Sequence, residues 1–315
     1  APRGDDLLPL ETITPSYKTY PLHGIASVVS APGQSVIPAG PKLPPAPAYS
    51  SFARPSGKGF GNERKWRWIP LLQALDAKGN RRGTPAWLLL NHSFPFRESA
   101  FAVFGFRDQK LYAGPLLPAV VGTALRIRQG AFLAEGGARH FAYWPGEKVT
   151  LGATAVHWGT GPAAVRVRFT VSDQATGRRL FAAEQPLELA PGDAADVTRA
   201  WNPGAAGAGE YRVATELLQG GKAIDRIEHT LGFLSAAAPS RDEFVRVKGG
   251  DFVVRGRQWY PVGINYWPLY VSGLEPDDYG RHWLDPAFYD PEEAELDLVR
   301  MRALGIDMVS IILGD

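Results

Sequence analysis

The sequence has 315 residues, of which 45% are hydrophobic and 21% are charged. This composition is ordinary for a globular protein and the length allows two or three hydrophobic cores, which excludes disorder as the main state. Lysine and arginine total 34 against 32 acidic residues, so the formal charge of +2 predicts no nucleic-acid partner. With no cysteine, disulfides, thiolate metal sites and cysteine nucleophiles are excluded. No apolar run approaches the roughly 20 residues of a membrane helix, so no membrane span is predicted.

Proline is frequent in residues 1–58, and it is densest in the run from Gly40 to Pro47. Proline fixes the backbone angle φ and has no N–H to donate, so such a stretch is disfavoured in central strands. The pattern predicts an extended linker or packing arm. The segment from Gly57 to Gly61 lacks the Lys-Ser/Thr ending of a phosphate-binding loop, and a flexible linker is the favoured interpretation.

A β-rich domain with one helix is predicted for residues 59–138. Apolar runs at 66–75 and 84–90 flank a turn-forming cluster and predict a hairpin, and a run at 100–106 predicts a third strand. The spacing of apolar residues from Pro115 to Glu135 fits a single helix that ends before a pair of glycines.

The most regular pattern lies in residues 139–236. Val165, Val167 and Phe169 alternate with polar residues, so one face of that strand is buried and the other is solvated. Further strands with the same period follow at short spacing, separated by glycine-containing turns, over about a hundred residues. This arrangement predicts an immunoglobulin-like β-sandwich.

The segment 243–315 changes to a β-α-β pattern. A hairpin is predicted at 244–255 and a strand at 260–267. Asp290 is placed to cap a helix that continues to Leu304, and acidic residues in its first turn favour the positive end of the helix dipole. The nearly continuous apolar run from 308 to 313 is typical of a strand covered on both faces of a parallel sheet.

The order of these elements is similar to the opening of the retaining glycoside hydrolase clan built on (β/α)8 barrels, which includes the cellulase, mannanase and β-galactosidase relatives. In that clan a Gly-x-Asn strand end precedes a long loop and a helix with the pattern D-L-x-x-M-x-x-L-G. The matching residues here are Gly263, Asn265, Asp297-Leu298, Met301 and Leu304-Gly305. The chain departs from the clan at Asp307 and Ser310, where many members carry Asn and Arg, so subfamily and substrate stay open.

The residue patterns predict a mainly β chain, with a β-rich domain and an immunoglobulin-like sandwich. The resemblance implies that these are followed by the first βαβ portion of a truncated TIM barrel. A barrel takes roughly 200 residues or more. In the clan the two catalytic carboxyl groups follow the fourth and seventh strands. We therefore expect the chain to be an N-terminal fragment that is inactive alone, with its catalytic acids beyond Asp315 and the remainder of its own barrel as a partner. We expect no cofactor. We expect an extracytoplasmic location.

The candidate substrate-binding residues are Asn265, Tyr266, Trp267 and Trp283. The first three stand where the first barrel strand reaches the active face, and Trp283 belongs to the following loop together with Tyr279. Aromatic faces suit the C–H surfaces of sugars and amides suit their hydroxyls, so the predicted ligand is an oligo- or polysaccharide. Alternatively, these side chains only pack the barrel mouth and the loop.

Several other signals favour structural roles. The tryptophans at 66, 68, 87, 144, 158 and 201 suit core or interdomain packing better than a carbohydrate platform. Glu292, Glu293 and Glu295 suit a solvated first helical turn better than catalysis. The six histidines contain no pair at helical ligand spacing, so no metal site is predicted.

Two other functions remain open. The chain could be a non-catalytic carbohydrate-binding or adhesion protein whose sandwiches are the functional part. A barrel of different chemistry is the third possibility, because the fold does not fix the reaction.

Overall fold

A computed structural model describes residues 19–37, 43–51, 56–62, 64, 66–92, 96–204, 209–235, 240–268, 284–286 and 289–311. These residues form three packed units: an N-terminal β-sheet, a β-sandwich and a small α/β unit.

The N-terminal sheet has six strands in the order β1-β3-β5-β4-β2, with β6 also paired to β5. The strands are β1 (Thr19–Pro21), β2 (Ser27–Ser30), β3 (Tyr49–Ser51), β4 (Trp66–Leu75), β5 (Arg81–Asn91) and β6 (Ser99–Phe104). The predicted β4–β5 hairpin and the third strand are confirmed. However, residues predicted as a packing arm supply β1, β2 and β3. Two of these three lie at the ends of the strand order, where proline is tolerated.

Two helices follow the sheet, α1 (Gln109–Tyr112) and α2 (Leu117–Gln129). The second ends at Gly130, whose φ of 76° is the left-handed conformation that stops a helix. The prediction that this helix continues to Glu135 is wrong, because residues 131–138 form a strand, β7 (Ala131–Ala138).

Strand β7 is buried at all eight positions because it lies between two hydrophobic cores. Ala131 and Leu133 belong to the core of the β-sandwich, whereas Phe132 and Ala134 belong to the core under the N-terminal sheet. A strand with two apolar faces shows no period of two, and its apolar positions at 132 and 133 also fit helical spacing.

The β-sandwich consists of a five-stranded sheet in the order β11-β10-β13-β14-β8 and a three-stranded sheet in the order β12-β9-β7. Its other strands are β8 (Ala142–Tyr143), β9 (Val149–His157), β10 (Ala163–Asp173), β11 (Arg179–Leu189), β12 (Ala194–Trp201), β13 (Gly209–Gln219) and β14 (Lys222–Phe233). The inward residues of both sheets form one core around Phe169. The predicted mainly β fold with a sandwich is confirmed.

The α/β unit begins with a three-stranded antiparallel sheet, β15 (Arg246–Lys248), β16 (Asp251–Val254) and β17 (Arg257–Gln258). The parallel strands β18 (Gly263–Asn265) and β19 (Met308–Ser310) are connected through helix α3 (Pro291–Ala303). Asp290 caps α3 by accepting hydrogen bonds from the N–H groups of Glu292 and Glu293. The predicted β-α-β order is confirmed.

Strand β19 is exposed along its described length, so residues 308–311 lack the cover on both faces that is typical of such an apolar strand in a parallel sheet. Its apolar side chains find no cover within the described part of the unit, and Ile312 and Leu313 lie outside that part. None of the helices in the described ranges has the length and hydropathy needed to cross a membrane.

Candidate functional site

The carboxyl ends of β18 and β19 form the predicted binding edge. Asn265 is the last residue of β18, is exposed, and lies opposite Ser310 in the register of the parallel pair. The connecting helix of a βαβ unit runs antiparallel to the strands, so α3 starts at this same edge. Asn265 therefore presents an amide donor and acceptor to solvent at the edge where α/β proteins bind ligands.

Tyr266 anchors this edge. Its side chain is only 5% exposed, its N–H donates to the carbonyl of Ser310 at 2.8 Å, and its hydroxyl donates to Oδ2 of Asp297 at 3.2 Å. Burial and the adjacent Asp297 carboxylate raise the pKa of Tyr266. Burial and the nearby Glu293 carboxylate likewise raise the pKa of Asp297. The phenol stays a hydrogen-bond donor at neutral pH and connects the end of β18 to α3.

Trp267 is partly buried next to Tyr266. Trp283 and Tyr279 lie outside the described residues. The structure therefore brings three of the four predicted residues together at one strand end, with Asn265 open to solvent. Their contact with a sugar stays a prediction.

Two ion pairs connect the first turn of α3 to other parts of the chain. Arg81 of β5 makes a bidentate ion pair with Glu293, with Nη1–Oε1 and Nη2–Oε2 distances of 2.7 and 2.5 Å. Lys58 forms an ion pair with Glu292. The expected solvated turn is thus wrong for Glu293, which is partly buried, whereas Glu292 and Glu295 are exposed as expected. The start of α3 is thus joined to the N-terminal sheet through Arg81 and to the segment 57–61 through Lys58.

The glycine-rich segment from Gly57 to Gly61 is packed, so the flexible-linker interpretation is wrong. Gly57 and Gly59 have φ values of 78° and 87°, and both hydrogen-bond to the backbone of Gly136 in β7. A Cβ on Gly57 would lie 2.7 Å from the carbonyl oxygen of Ala134. Only glycine combines this close approach with this backbone conformation. The segment therefore holds Lys58 in a fixed position between β7 and α3.

Glu135 of β7 organises the next turn of the same segment. Its buried carboxylate accepts hydrogen bonds from the N–H groups of Gly61, Asn62 and Arg64, at distances of 2.8, 3.2 and 3.1 Å. The Arg64 guanidinium then donates to the carbonyl of Tyr289, just before α3. Sequence reasoning missed this role because Glu135 was assigned to a helix.

Arg67 of β4 joins the N-terminal sheet to the β-sandwich. Its Nη1 and Nη2 atoms lie 2.6 and 3.1 Å from the carboxylate oxygens of Asp225 in β14. The same guanidinium donates to the carbonyls of Ser56, Leu133 and Arg226. Both side chains of the pair are at most 4% exposed. The available signal was a lone arginine inside the apolar run from Trp66 to Leu72.

Two histidines, the buried His229 and the partly buried His92, stay neutral. Burial lowers the pKa of His229 to about 4, and its Nε2 accepts a hydrogen bond from the N–H of Ala138. Burial, with a contribution from the Arg67 charge, lowers the pKa of His92 to about 3. Within the described ranges, no group of three or more histidine and acidic side chains could hold a metal ion.

The tryptophans divide between core and surface. Trp68 and Trp87 pack with Leu89 in one buried cluster, and Trp201 lies in the core of the β-sandwich. Trp144 is 55% exposed. A row of exposed tryptophans suited to a carbohydrate platform is not present among the described residues of the two β units.

No protein-family model and no curated protein sequence matches the chain. Solved structures that match part of the chain include a β-glucuronidase of Bacteroides uniformis, at 16% identity over 60% of this chain with a TM-score of 0.30. A glycosyl hydrolase family 2 member of Bacteroides cellulosilyticus matches at 15% identity over 58%, with a TM-score of 0.29. A cycloisomaltooligosaccharide glucanotransferase of Paenibacillus sp. matches at 16% identity over 34%, with a TM-score of 0.29.

The matched part spans 21, 21 and 15% of those three chains, respectively. The chain is thus similar to a small part of several carbohydrate-active enzymes. Identities and TM-scores this low assign neither a family nor an activity to it.

Proposed function

We propose that the chain is the N-terminal, non-catalytic part of an enzyme that hydrolyses glycosidic bonds with two carboxyl groups. The α/β unit would be the opening of a (β/α)8 barrel, and the catalytic acids would follow later strands of that barrel. The β units would hold the first barrel helix in place through Lys58 and Arg81. An extracytoplasmic location is part of this proposal.

The observation that carries the proposal is the uncovered apolar surface of the parallel pair. Met308 and Val309 of β19 are 41 and 38% exposed, and Val299 and Leu304 at the end of α3 are 54 and 79% exposed. Parallel sheets occur almost only with both faces covered. Further strands and helices of a barrel are the cover that such a pair requires.

The carboxylates near the strand ends support placing the catalytic acids elsewhere. Asp290 caps α3, Glu292 pairs with Lys58, Glu293 pairs with Arg81, and Asp297 accepts the Tyr266 hydroxyl. Retaining hydrolysis needs two carboxyl groups about 5 Å apart, one as nucleophile and one as acid. Each of these four groups is already engaged in a structural contact.

The test compares this chain with the product of the complete reading frame that encodes it. Both proteins are assayed against nitrophenyl β-glucoside, β-galactoside, β-mannoside and β-glucuronide, and against cellulose, mannan and galactan. We expect no hydrolysis by the chain alone and hydrolysis by the longer protein. A longer protein that binds a glycan without cleaving any substrate would overturn the proposal in favour of a binding or adhesion protein.

A second comparison tests the strand-end site in the longer protein. Replacing Asn265 with alanine removes the exposed amide, and we expect kcat/KM to fall about tenfold because a hydrogen bond to the sugar is lost. The matched control is Asn202→Ala, in an exposed loop of the β-sandwich, which should leave the rate unchanged. Equal rates for the two variants would exclude Asn265 from sugar binding.

A further inference from the structure

A cleft of about 710 Å³ lies where the three units meet. We call it the junction cleft. The N-terminal sheet contributes residues of β4 and β5, the β-sandwich contributes residues of β13 and β14, and the start of α3 closes the third side. Charged side chains from all three units line it, together with residues of β4 that include Pro70 and Gln73. Its volume is within the range of roughly 300–1,000 Å³ that is usual for small-molecule sites.

The position of the junction cleft favours ligand binding. Its third side is the first turn of α3, which begins at the edge where β18 and β19 end. Barrels and open α/β sheets bind their ligands at this edge. Glu293 lines the cleft, and Asp297, one helical turn later, accepts the Tyr266 hydroxyl at the strand end. The cleft and the predicted strand-end site are therefore separate but lie at the same end of the α/β unit.

The charges of the junction cleft favour a neutral ligand. Every cation among its described lining residues is ion-paired: Lys58 with Glu292, Arg67 with Asp225, Arg81 with Glu293, and Arg212 and Arg226 with Glu228. The cleft therefore offers a phosphate or another anion no uncompensated positive charge. Half-exposed guanidinium and carboxylate groups nevertheless keep N–H donors and oxygen lone pairs that suit hydroxyl groups.

The remaining wall is apolar on one side and carries an amide. On β4 the partly exposed ring of Pro70 contributes apolar surface, and the half-buried side chain of Gln73 follows it on the same strand. Trp68 and Ile69 also line the cleft but are only 4% exposed, because their side chains pack into hydrophobic clusters. Apolar surface matches the C–H face of a pyranose ring, and an amide matches its hydroxyl edge.

We propose that the junction cleft binds a neutral oligosaccharide as a second carbohydrate site, apart from Asn265 and Trp267. The choice of a carbohydrate rests on the proposed function. A ligand in the cleft touches all three units at once, so it stabilises their arrangement. Because only the folded chain has this cleft, binding raises the melting temperature in proportion to the logarithm of ligand concentration once the site is saturated.

The test measures binding of cellotetraose, mannotetraose, xylotetraose and β-1,4-galactotetraose to this chain by calorimetry and by thermal shift. Inorganic phosphate and tetragalacturonate serve as anionic comparators. We expect at least one neutral tetrasaccharide to bind and to raise the melting temperature, and neither anion to do so. Failure of all four neutral probes at millimolar concentration, or tighter binding of an anion, would overturn the proposal.

Three variants locate the site. Gln73→Trp fills the cleft and is expected to weaken binding at least about tenfold, whereas Gln219→Trp, at the exposed end of β13, leaves it unchanged. Arg212→Ala trims a half-exposed side chain from the wall and weakens binding by about 3- to 10-fold, which keeps the test valid if Gln73→Trp does not fold. Equal affinities of the three variants would exclude the cleft.

The Asn265→Ala variant of this chain separates the two proposals. Cleft binding should be unchanged by it, whereas binding lost only in Asn265→Ala would move the ligand to the strand-end site. If the chain binds no saccharide, the cleft proposal fails. The hydrolase proposal would still be judged by the activity of the longer protein.

Discussion

Replacing Asp225 with alanine should be among the most destabilising single substitutions in the β units. The Asp225 carboxylate accepts hydrogen bonds from Nη1 and Nη2 of Arg67. It also accepts hydrogen bonds from the backbone N–H groups of Leu133 and Arg226, both at 2.8 Å. The side chains of the ion pair are 4 and 2% exposed. Without Asp225, a buried cation and a buried N–H lose their acceptor. Breaking such a pair costs about 3–5 kcal/mol, out of a total stability of about 5–15 kcal/mol.

The assay is urea unfolding at pH 7, followed by tryptophan fluorescence and far-UV circular dichroism. Glu184→Ala is the control, because its ion pair with Arg166 is half exposed and worth about 0–1 kcal/mol. The double variant Arg67→Met with Asp225→Leu should recover part of the lost stability, since it removes both buried charges but leaves the Leu133 N–H without its acceptor. The reasoning is refuted if Asp225→Ala and Glu184→Ala destabilise the protein by the same amount within 1 kcal/mol, taken as about the precision of the extrapolation.

Three other predictions concern the packing around β7. Glu135→Gln replaces a carboxylate oxygen with a donor that faces backbone N–H groups, and should cost about 1–3 kcal/mol in urea unfolding. Gly152→Ala would place a Cβ 2.2 Å from the ring of Phe60 and should cost about 1–3 kcal/mol, whereas Gly232→Ala, whose nearest atom is 3.9 Å away, stays within about 0.5 kcal/mol in the same assay. Burial lowers the pKa of His229 from 6.5 to about 4, so the unfolded chain takes up this proton first as the pH falls. Stability from this group is complete above about pH 6.5 and decreases towards pH 4, and a His229→Gln variant should lose less stability between pH 7 and pH 5.

Local patterns in the sequence were sufficient to predict the strands whose contacts lie within one unit. The β4–β5 hairpin is marked by two apolar runs around a short polar turn, and β10 by strict alternation at Val165, Val167 and Phe169. The α3 helix is marked by its Asp290 cap and its proline in the first turn. In these elements the residues that decide the structure are neighbours in the chain.

Features at the junctions could not be predicted in this way. The apolar faces of β7 each serve a different core, so its residues carry no single period. Gly57 and Gly59 were interpreted as a linker because their partner, Gly136, is far away in the sequence. Arg67 and Asp225 are separated by 158 positions. A single sequence contains the charges but not their pairing.

The strand-end site shows the same division. Asn265, Tyr266 and Trp267 are consecutive, so a local sequence pattern was enough to predict that they lie at the same place. The Asp297 carboxylate that receives the Tyr266 hydroxyl lies 31 positions later. The junction cleft was not foreseen, because its walls come from all three units.

Strand β7 limits the order in which the chain can fold on the ribosome. Its backbone partner at Gly57 and Gly59 is synthesised first, its neighbour β9 follows, and β13 and β14, which pack against it, emerge only with residues 209–233. Domains usually fold one by one from the N-terminus during synthesis. Here about a hundred further residues must be synthesised after the N-terminal sheet before β13 and β14 can pack against β7. The first two units are therefore expected to form as one folding unit, and a cut at 138/139 would divide it.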